Sequence, residues 1–370
     1  MYLQKLTLAN FKNYETLELN FSEKINSFVG NNGVGKTNLL DAIHYLSFCK
    51  SYFNVIDTQN IMFGKDYFTI QGVWVKNHDN PDTILCNQKR NHHKVFKLNK
   101  KEYDRLADHI GLFPLVMVSP RDSDMIYSGS EERRRFLDSF ISQFDHVYLD
   151  DLINYNKALF QRNKLLKLFF ENRNFEADAL EIWDSQLITY GAKIHAKRTS
   201  FILDFVPYFN HYFELISGKK ERVSLDYESQ LNTAQPGELL KSSLQKDRVL
   251  LYTTCGVHKD DLIFNIEGFP LRKFGSQGQQ KSYTIAIKLA EFEYIRHMKG
   301  FKPVVLFDDI FDKLDDERVE HIVKLATDNN FGQVFITDTH QERIMGTMKR
   351  INSPGKVFKI SDNTAKEIKF

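Results

Sequence analysis

Residues 30–37, Gly30-Asn31-Asn32-Gly33-Val34-Gly35-Lys36-Thr37, satisfy the pattern GxxxxGK[ST]. Glycines let the backbone wrap a phosphate, and the exposed amides at a helix start donate to it. Lys36 is placed to reach the outer phosphates and the Thr37 hydroxyl to ligate magnesium, with Asn38 added to the nucleotide contacts. A glycine-rich turn with an accidental lysine would match the same string. Here, however, the string lies between a strand-like INSFVG and a helix-like KTNLLDAIHYLSF, the context the motif requires.

A P-loop alone does not choose among kinases, GTPases and ATPases. In PVVLFDDIFDKLD an apolar run leads straight into Asp308-Asp309. A buried parallel strand would deliver both carboxylates to the sheet edge where phosphates lie. Asp308 fits the magnesium-coordinating acid and Asp309 the residue that polarises the attacking water. The competing reading is an acid cluster at a helix start, but the acids end the strand several residues before DERVEHIVKLATD begins. Downstream, QVFITDT is a further strand, and either His340 beyond it or Asp338 within it could face the terminal phosphate.

The stretch FGSQGQQK, residues 274–281, contains no nucleophile and precedes a helical SYTIAIKLAEFEYIRHM. Ser276, the Gly278 amide, Gln279 and the helix dipole together form an anion site without a strong cation of its own. One chain with one P-loop then has two phosphate-binding surfaces. Two chains pairing head to tail, each capping the other's nucleotide, explain both.

Strands and helices must position these groups. Short strands fill residues 1–30 (YLQKLTL, LELNF, INSFVG) and residues 66–120 (YFTIQGVWV, TILCNQ, HKVFKL, PLVMVSP). From about Glu131 to Ser217 only helical periodicity appears. Leu149, Leu152, Asn156, Leu159, Asn163, Leu166 and Phe170 mark one helix seam; Leu180, Trp183, Leu187, Tyr190 and Ile194 mark the other, with ENRNFEAD as the turn. Each helix should be roughly 40 Å long at about 1.5 Å per residue. Strand-type sequence resumes at RVSLDYES and alternates with helix to the end (KVFKIS), which implies a largely parallel α/β sheet. The expected organisation is a head of residues 1–122 and 223–370 with an inserted helical arm of residues 123–222.

Composition narrows the class. Lys+Arg 50 against Asp+Glu 48 leaves a net charge of +2, so a polyanion must be met by a local patch. Cys49, Cys86 and Cys255 have neither CxxC nor zinc spacing, which fits a reducing compartment. The N-terminus is no signal peptide and no run is long and apolar enough for a membrane span, so a cytoplasmic protein is expected.

P-loop, inserted helices, Ser-x-Gly-Gln, Asp-Asp strand end and downstream histidine, in that order, resemble the ABC-type ATPase heads of the SMC-like group. Within that group the chain resembles the RecF family of bacterial recombination mediators. The resemblance is carried by LTLANFKNYETLEL, FVGNNGVGKTNLLDAIHYLSFCKSY, RRRFLDSFISQFDHVYLDDLINYNKALFQRNKLLK, GVHKDDLIF, SQGQQKS and LFDDIFDKLDDER. It implies an α/β, ABC-type P-loop head with an inserted α-helical arm (lobe II) that binds ATP and magnesium, dimerises around them and hydrolyses slowly. It also implies binding of duplex DNA near single-strand gaps, at ssDNA–dsDNA junctions, and loading of RecA with RecR and RecO. The sequence departs from the family pattern at Lys12, where arginine is common, in the loop Asp312-Lys313-Leu314-Asp315, and at GVHKDDL.

Candidate DNA patches are QKRNHHKVFKLNKK (88–101), with six Lys/Arg and two His, then Lys157, Arg162, Lys164 and Lys167, and Lys193, Lys197 and Arg198. Each is equally readable as a solvated face. Arg133-Arg134-Arg135 beside Glu131-Glu132 reads as a self-neutralised helix start. A nucleotide-gated scaffold whose hydrolysis is incidental is the alternative to a repair ATPase. A transporter motor is disfavoured by the departure from LSGGQ, a GTPase by the absence of NKxD, and a zinc-hooked nuclease partner by the short arm without CxxC.

Overall fold

The computed structural model describes residues 1–76, 81–218, 221–309, 331–351 and 355–368. They fall into two compact units, Met1–Asp122 with Lys288–Phe370, and Ser123–Ile287. The second unit runs past residue 222, the end expected for the arm.

The first unit holds two six-stranded sheets. One is antiparallel: β1 (Tyr2–Phe11), β2 (Tyr14–Asn20), β4 (Tyr67–Val75), β5 (Asp82–Lys89), β6 (Val95–Leu98) and β7 (Lys101–Glu102), in the order β2-β1-β4-β5-β6-β7. The other comprises β3 (Ile25–Val29), β8 (Leu115–Val118), β12 (Val304–Phe307), β13 (Val334–Asp338), β14 (Gly355–Ser361) and β15 (Thr364–Ile368). Its order is β15-β14-β3-β13-β12-β8, parallel except for the hairpin β14–β15. The largely parallel α/β sheet is therefore half the story, because the strand-like segments of residues 1–20 and 66–102 build a separate antiparallel layer. Their alternating burial shows why, since such a sheet packs on one face and meets solvent on the other. By contrast β3, β8, β12 and β13 are buried at every position.

Helix α1 (Lys36–Phe48) shares one hydrophobic core with both sheets through Leu39, Leu40, Ala42, Ile43, Tyr45 and Leu46. A helix buried on nearly every side carries little amphipathic pattern, and α1 fits that description. Gln333 staples the layers: its Oε1 accepts from the Leu3 amide (2.7 Å), and its Nε2 donates to the carbonyls of Leu3 and Ser22 (2.8 Å each).

The second unit contains α2 (Asp124–Tyr127), α3 (Ser130–Ser142), α4 (His146–Glu171), α5 (Asp178–Ser217), α6 (Pro236–Leu250), α7 (Leu271–Phe274) and the start of α8 (Gln277–Lys299). A three-stranded antiparallel sheet accompanies them, β9 (Val223–Glu228), β10 (Asp261–Ile266) and β11 (Phe269–Pro270), in the order β11-β10-β9. The turn between α4 and α5 falls on ENRNFEAD as expected. The helices differ in length, however: 26 residues give about 39 Å and 40 residues about 60 Å.

The buried stripe of α4 is also rotated from the expected seam. Tyr148, Asp151, Tyr155, Ala158, Arg162 and Leu166 face inward, while Asn156 and Phe170 are exposed. The polar members explain the difference, because this core is held by ion pairs that a hydrophobic count overlooks. Arg162, fully buried, pairs with Asp184 (2.5 Å) and Asp247 (2.6 Å) and donates to Thr253 Oγ1 (3.0 Å). Arg198 pairs with Asp138 (2.7 Å) and Asp260 (2.8 Å) and donates to the Val257 carbonyl and the Tyr148 hydroxyl.

Neither Arg162 nor Arg198 is therefore a DNA contact. The second of these networks also ties β10 to the arm helices and explains why the unit continues to Ile287. Tyr283 closes the same core against Phe209 and Phe264 at ring-centroid separations of 4.7 and 5.2 Å.

Removing Arg198 strands the buried Asp260 carboxylate and leaves the partly buried Asp138 without its cation, and breaking a buried pair from one side costs about 3–5 kcal/mol. Arg198→Met should lower unfolding stability by that order in urea titration. A second expectation concerns pH. Burial lowers His44, His109 and His258 to about 4. Below about pH 6.5 the unfolded chain binds protons that these neutral imidazoles refuse, so stability is complete above that pH and is lost as pH falls towards about 4. Each contributes at most roughly 3 kcal/mol. Thermal melts across that window should fall steadily, and His109→Gln should flatten the slope.

Candidate nucleotide site

β3 is the strand that feeds the P-loop, and its last buried residue, Val29, hands over to Gly30. The Gly30 amide is held by the Asp338 carbonyl at 3.3 Å, so the loop starts from the C-terminal end of the parallel sheet. Gly30, Gly33 and Gly35 adopt φ of +157°, +81° and +105°. A Cβ on Gly30 would stand 2.5 Å from the Ile360 carbonyl oxygen, and one on Gly35 would collide with the Asn13 amide. Asn31, Asn32 and Gly33 are exposed at the crown of the loop.

Lys36 opens α1 and turns back into the loop, donating from Nζ to the carbonyls of Gly30 (2.7 Å) and Asn31 (2.9 Å). The ammonium thus lies across the concavity that a phosphate would fill. Thr37 Oγ1 donates to Asp308 Oδ1 (2.9 Å), and Thr337 Oγ1, from β13, donates to the same oxygen (2.9 Å). Burial raises the Asp308 carboxyl above its ordinary value, the two threonine hydrogen bonds oppose that rise, and Asp309 adds to it. A carboxylate and a hydroxyl in contact are hard oxygen donors of the type magnesium takes, and a bound dication would restore the charged form of Asp308. The residues present fit that ion.

Asp309 follows in a left-handed conformation, φ +50°, with its amide donating to Thr337 Oγ1 (2.8 Å). The chain therefore leaves the extended conformation at the strand end. The loop Asp312-Lys313-Leu314-Asp315 and the helix expected at DERVEHIVKLATD lie outside the described residues.

Asp338 and His340 differ in their commitments. The Asp338 carboxylate, buried, is clamped by Arg343 through two bonds (2.8 and 2.7 Å) and accepts from the His340 amide (2.7 Å). His340 is exposed at the entrance to the helix Gln341–Ile351. Of the two, His340 has the side chain presented to solvent.

Four residues of this neighbourhood were not singled out from the sequence. Asn13 donates to the Val34 carbonyl (3.3 Å) and to Asn363 Oδ1 (2.7 Å) and accepts from Asn38 Nδ2 (2.7 Å). The Tyr14 hydroxyl donates to the Gly35 carbonyl (3.1 Å). Asn38, expected to meet nucleotide, turns its amide onto this brace. Thr337 and Asn363 complete the set. NFKNY carries the signal for the first two, because a polar turn rich in side-chain amides suits a loop that must be held from outside. Lys12 in that motif pairs with buried Asp41 (2.5 Å), which also accepts from Ser51 Oγ (2.6 Å) and the Tyr52 amide (2.7 Å).

Ser276, Gly278 and Gln279 lie at the start of α8, in the second unit. The Ser276 amide donates to Gln279 Oε1 (2.6 Å) and the Gln279 amide donates to Ser276 Oγ (3.2 Å). This reciprocal pair is a capping box. Glu221 fixes the glutamine from its other end, accepting from Nε2 at 2.8 Å. Ser276 stays exposed. Its oxygen accepts from the Gln279 amide.

A P-loop strand separated from the acid-bearing strand by one parallel strand, an antiparallel layer over the shared helix and a helical insertion define an ABC-type ATPase head of the SMC-like kind. Comparison agrees. The model of the RecF/RecN/SMC N-terminal domain matches residues 2–365. The DNA replication and repair protein RecF of Flavobacterium johnsoniae is 49% identical over 97% of this chain and 100% of that protein. A structure of the recombination mediator protein RecF with ATP, described as part of the RecFOR pathway, superposes with a TM-score of 0.90 at 31% identity, covering 100% of this chain and 98% of the other. An Smc head bound to the C-terminal winged-helix domain of ScpA shares the fold at a TM-score of 0.58 and 16% identity, covering 100% of this chain and 97% of the other. The chain belongs to the RecF family.

Asp308→Asn tests the acid site. Neutralising a carboxylate whose charge the core disfavours should leave the ligand-free melting temperature at or above that of the wild type. The magnesium-dependent gain in ATP affinity should fall at least about tenfold, as calorimetry with and without magnesium would report.

Proposed function

We propose that this protein is a DNA-repair ATPase that works as an ATP-gated dimeric clamp. The observation that carries the proposal is the meeting of Thr37, Thr337 and Asp308 Oδ1, 2.9 Å on each bond, beside a P-loop whose lysine lies across its concavity. In this reading the amides of residues 30–38 hold the β- and γ-phosphates, and Lys36 exchanges its two carbonyl partners for phosphate oxygens. Bound at Thr37 and Asp308, magnesium would neutralise charge on the phosphates. Asp309 orients and deprotonates the attacking water, and His340 contacts the terminal phosphate.

Ser276, the Gly278 amide and Gln279 act on the ATP of a second copy. Two features support that role: the exposure of Ser276, and the capping box that fixes its oxygen at the helix start. Slow hydrolysis would then time the release of a clamp from DNA. The family's membership in recombination supports duplex DNA near single-strand gaps as the ligand, RecR and RecO as partners and RecA loading as the outcome. No helix among the described residues is long and apolar enough to cross a membrane.

Sedimentation with ATP, magnesium and duplex DNA tests the sandwich. Wild type should shift from monomer to dimer on adding ATP. Ser276→Arg should bind ATP with unchanged affinity and remain monomeric. A variant that dimerises like the wild type would remove Ser276 from the interface and the head-to-tail model with it.

A further inference from the structure

Burial removes Arg162 and Arg198 from the candidate DNA contacts, and bonds within the protein occupy the helix-start arginines, which are not among those candidates. Arg162 and Arg198 are core residues, Arg133 is bidentate on Asp261, Arg134 donates to the Asp260 carbonyl, and Arg135 pairs with Glu131 and Glu132. Lys94, inside the basic hairpin, is anchored to Asp57 (2.7 Å) and the Cys49 carbonyl (2.6 Å). Lys89, Arg90, His92 and His93 remain exposed on that hairpin, none of them ion-paired among the described residues. They share one end of the antiparallel sheet with an unusual neighbour.

Phe63 is 99% exposed. Six large apolar side chains are exposed among the described residues of the first unit: Val55, Ile56, Phe63, Tyr67, Met298 and Phe301. Four of them fall within residues 55–67, so the exposure is local. Phe63 stands at the tip of a turn closed by the Lys65 amide on the Met62 carbonyl (3.0 Å), with left-handed Gly64 (φ +77°) beside it. Arg90 binds that turn twice: its Nε donates to the Lys65 carbonyl (3.3 Å) and its amide to the Asp66 carbonyl (2.9 Å). Tyr67, also exposed, stands opposite Lys89 in the β4–β5 ladder. Gln88 fixes the hairpin turn through the carbonyls of Lys89 and His92 (2.8 and 3.0 Å). An exposed aromatic ring is thus mounted on a turn whose backbone Arg90 braces, four residues before the exposed Tyr67.

We infer that Phe63, flanked by Tyr67 and Arg90, is a stacking platform for an unpaired or terminal nucleic-acid base; the inference rests on the DNA-binding reading above. Charge argues for a base over a backbone track. Lys65 is spent on Glu15 (2.7 Å) and Asp66 is exposed beside it, so the turn under the ring carries little positive charge of its own, while Lys89, Arg90, His92 and His93 lie on the adjoining hairpin. Phosphate tracking needs a cationic groove, whereas stacking needs a ring face, and every base has one. Nucleic acid presents phosphates beside each base, and the residues bonded to this turn or paired beside it, Arg90 and Lys89, are exposed cations. A base on Phe63 marks the place where a duplex opens, and specificity for partly single-stranded DNA would then arise from one side chain.

Binding is measured by anisotropy for a duplex with a single-strand tail and for a continuous duplex, with ATP present. Phe63→Ala should weaken the tailed duplex roughly tenfold and leave the continuous one unchanged, with the same slope of affinity against salt. Phe63→Trp should retain the preference, and its emission should be quenched by tailed DNA. Equal binding by Phe63→Ala, or no quenching in Phe63→Trp while DNA is bound, would overturn the inference alone. Loss of a partner protein in pull-down by Phe63→Ala with DNA binding intact would reassign the patch to that partner. A wild type that binds neither DNA would end the DNA reading and the inference together, while its ATP response in sedimentation would still stand.

Discussion

The structure turns on one carboxylate that its surroundings do not want charged. Asp308 ends a fully buried strand, and burial alone would drive it towards protonation. Two threonine hydroxyls from different elements hold it: Thr37 at the start of α1 and Thr337 on β13. Through that oxygen the phosphate loop, the acid strand and the following strand are registered to within a hydrogen bond. A carboxylate held against such a cost is one whose charged form a bound cation would stabilise.

The arm makes a different bargain. Its core holds two buried arginines with their aspartates, and such pairs stabilise weakly while breaking badly. They also connect stretches far apart in sequence: Asp138 and Tyr148 from the first helices, Arg198 from the second and Asp260 from GVHKDDL. Arg133 and Arg134 meet the same segment through Asp261 and the Asp260 carbonyl. Two of the motifs quoted for the family resemblance, RRRFLDSF and GVHKDDL, thus prove to be two sides of one contact.

Much of the head could be read before folding. α1 runs over KTNLLDAIHYLSF and β4 over YFTIQGVWV because motif and alternation each leave a local mark. The antiparallel layer and the rotated seam of α4 could not be read, since partner strands and buried ion pairs are settled by tertiary packing. Charge misled for the same reason. Arg162 and Lys157 are alike as letters, and only burial makes one a core residue and the other a surface one. At the candidate site the chemistry-bearing groups were plain, but the brace that aims them, Asn13, Tyr14, Thr337 and Asn363, consists of ordinary residues made special by position.

The ladder around β3 has a temporal side. Its two neighbours are β13 and β14, and both lie close to the far end of the chain. A ribosome adding about 5–20 residues per second needs roughly fifteen seconds or more between emitting β3 and emitting β13. Throughout that interval the phosphate loop hangs from a strand with two bare edges and no acid partner. Nascent or prematurely terminated chains therefore carry the most recognisable motif of the protein without its function. The strands that flank the phosphate loop can be in place only after residue 361 has been made.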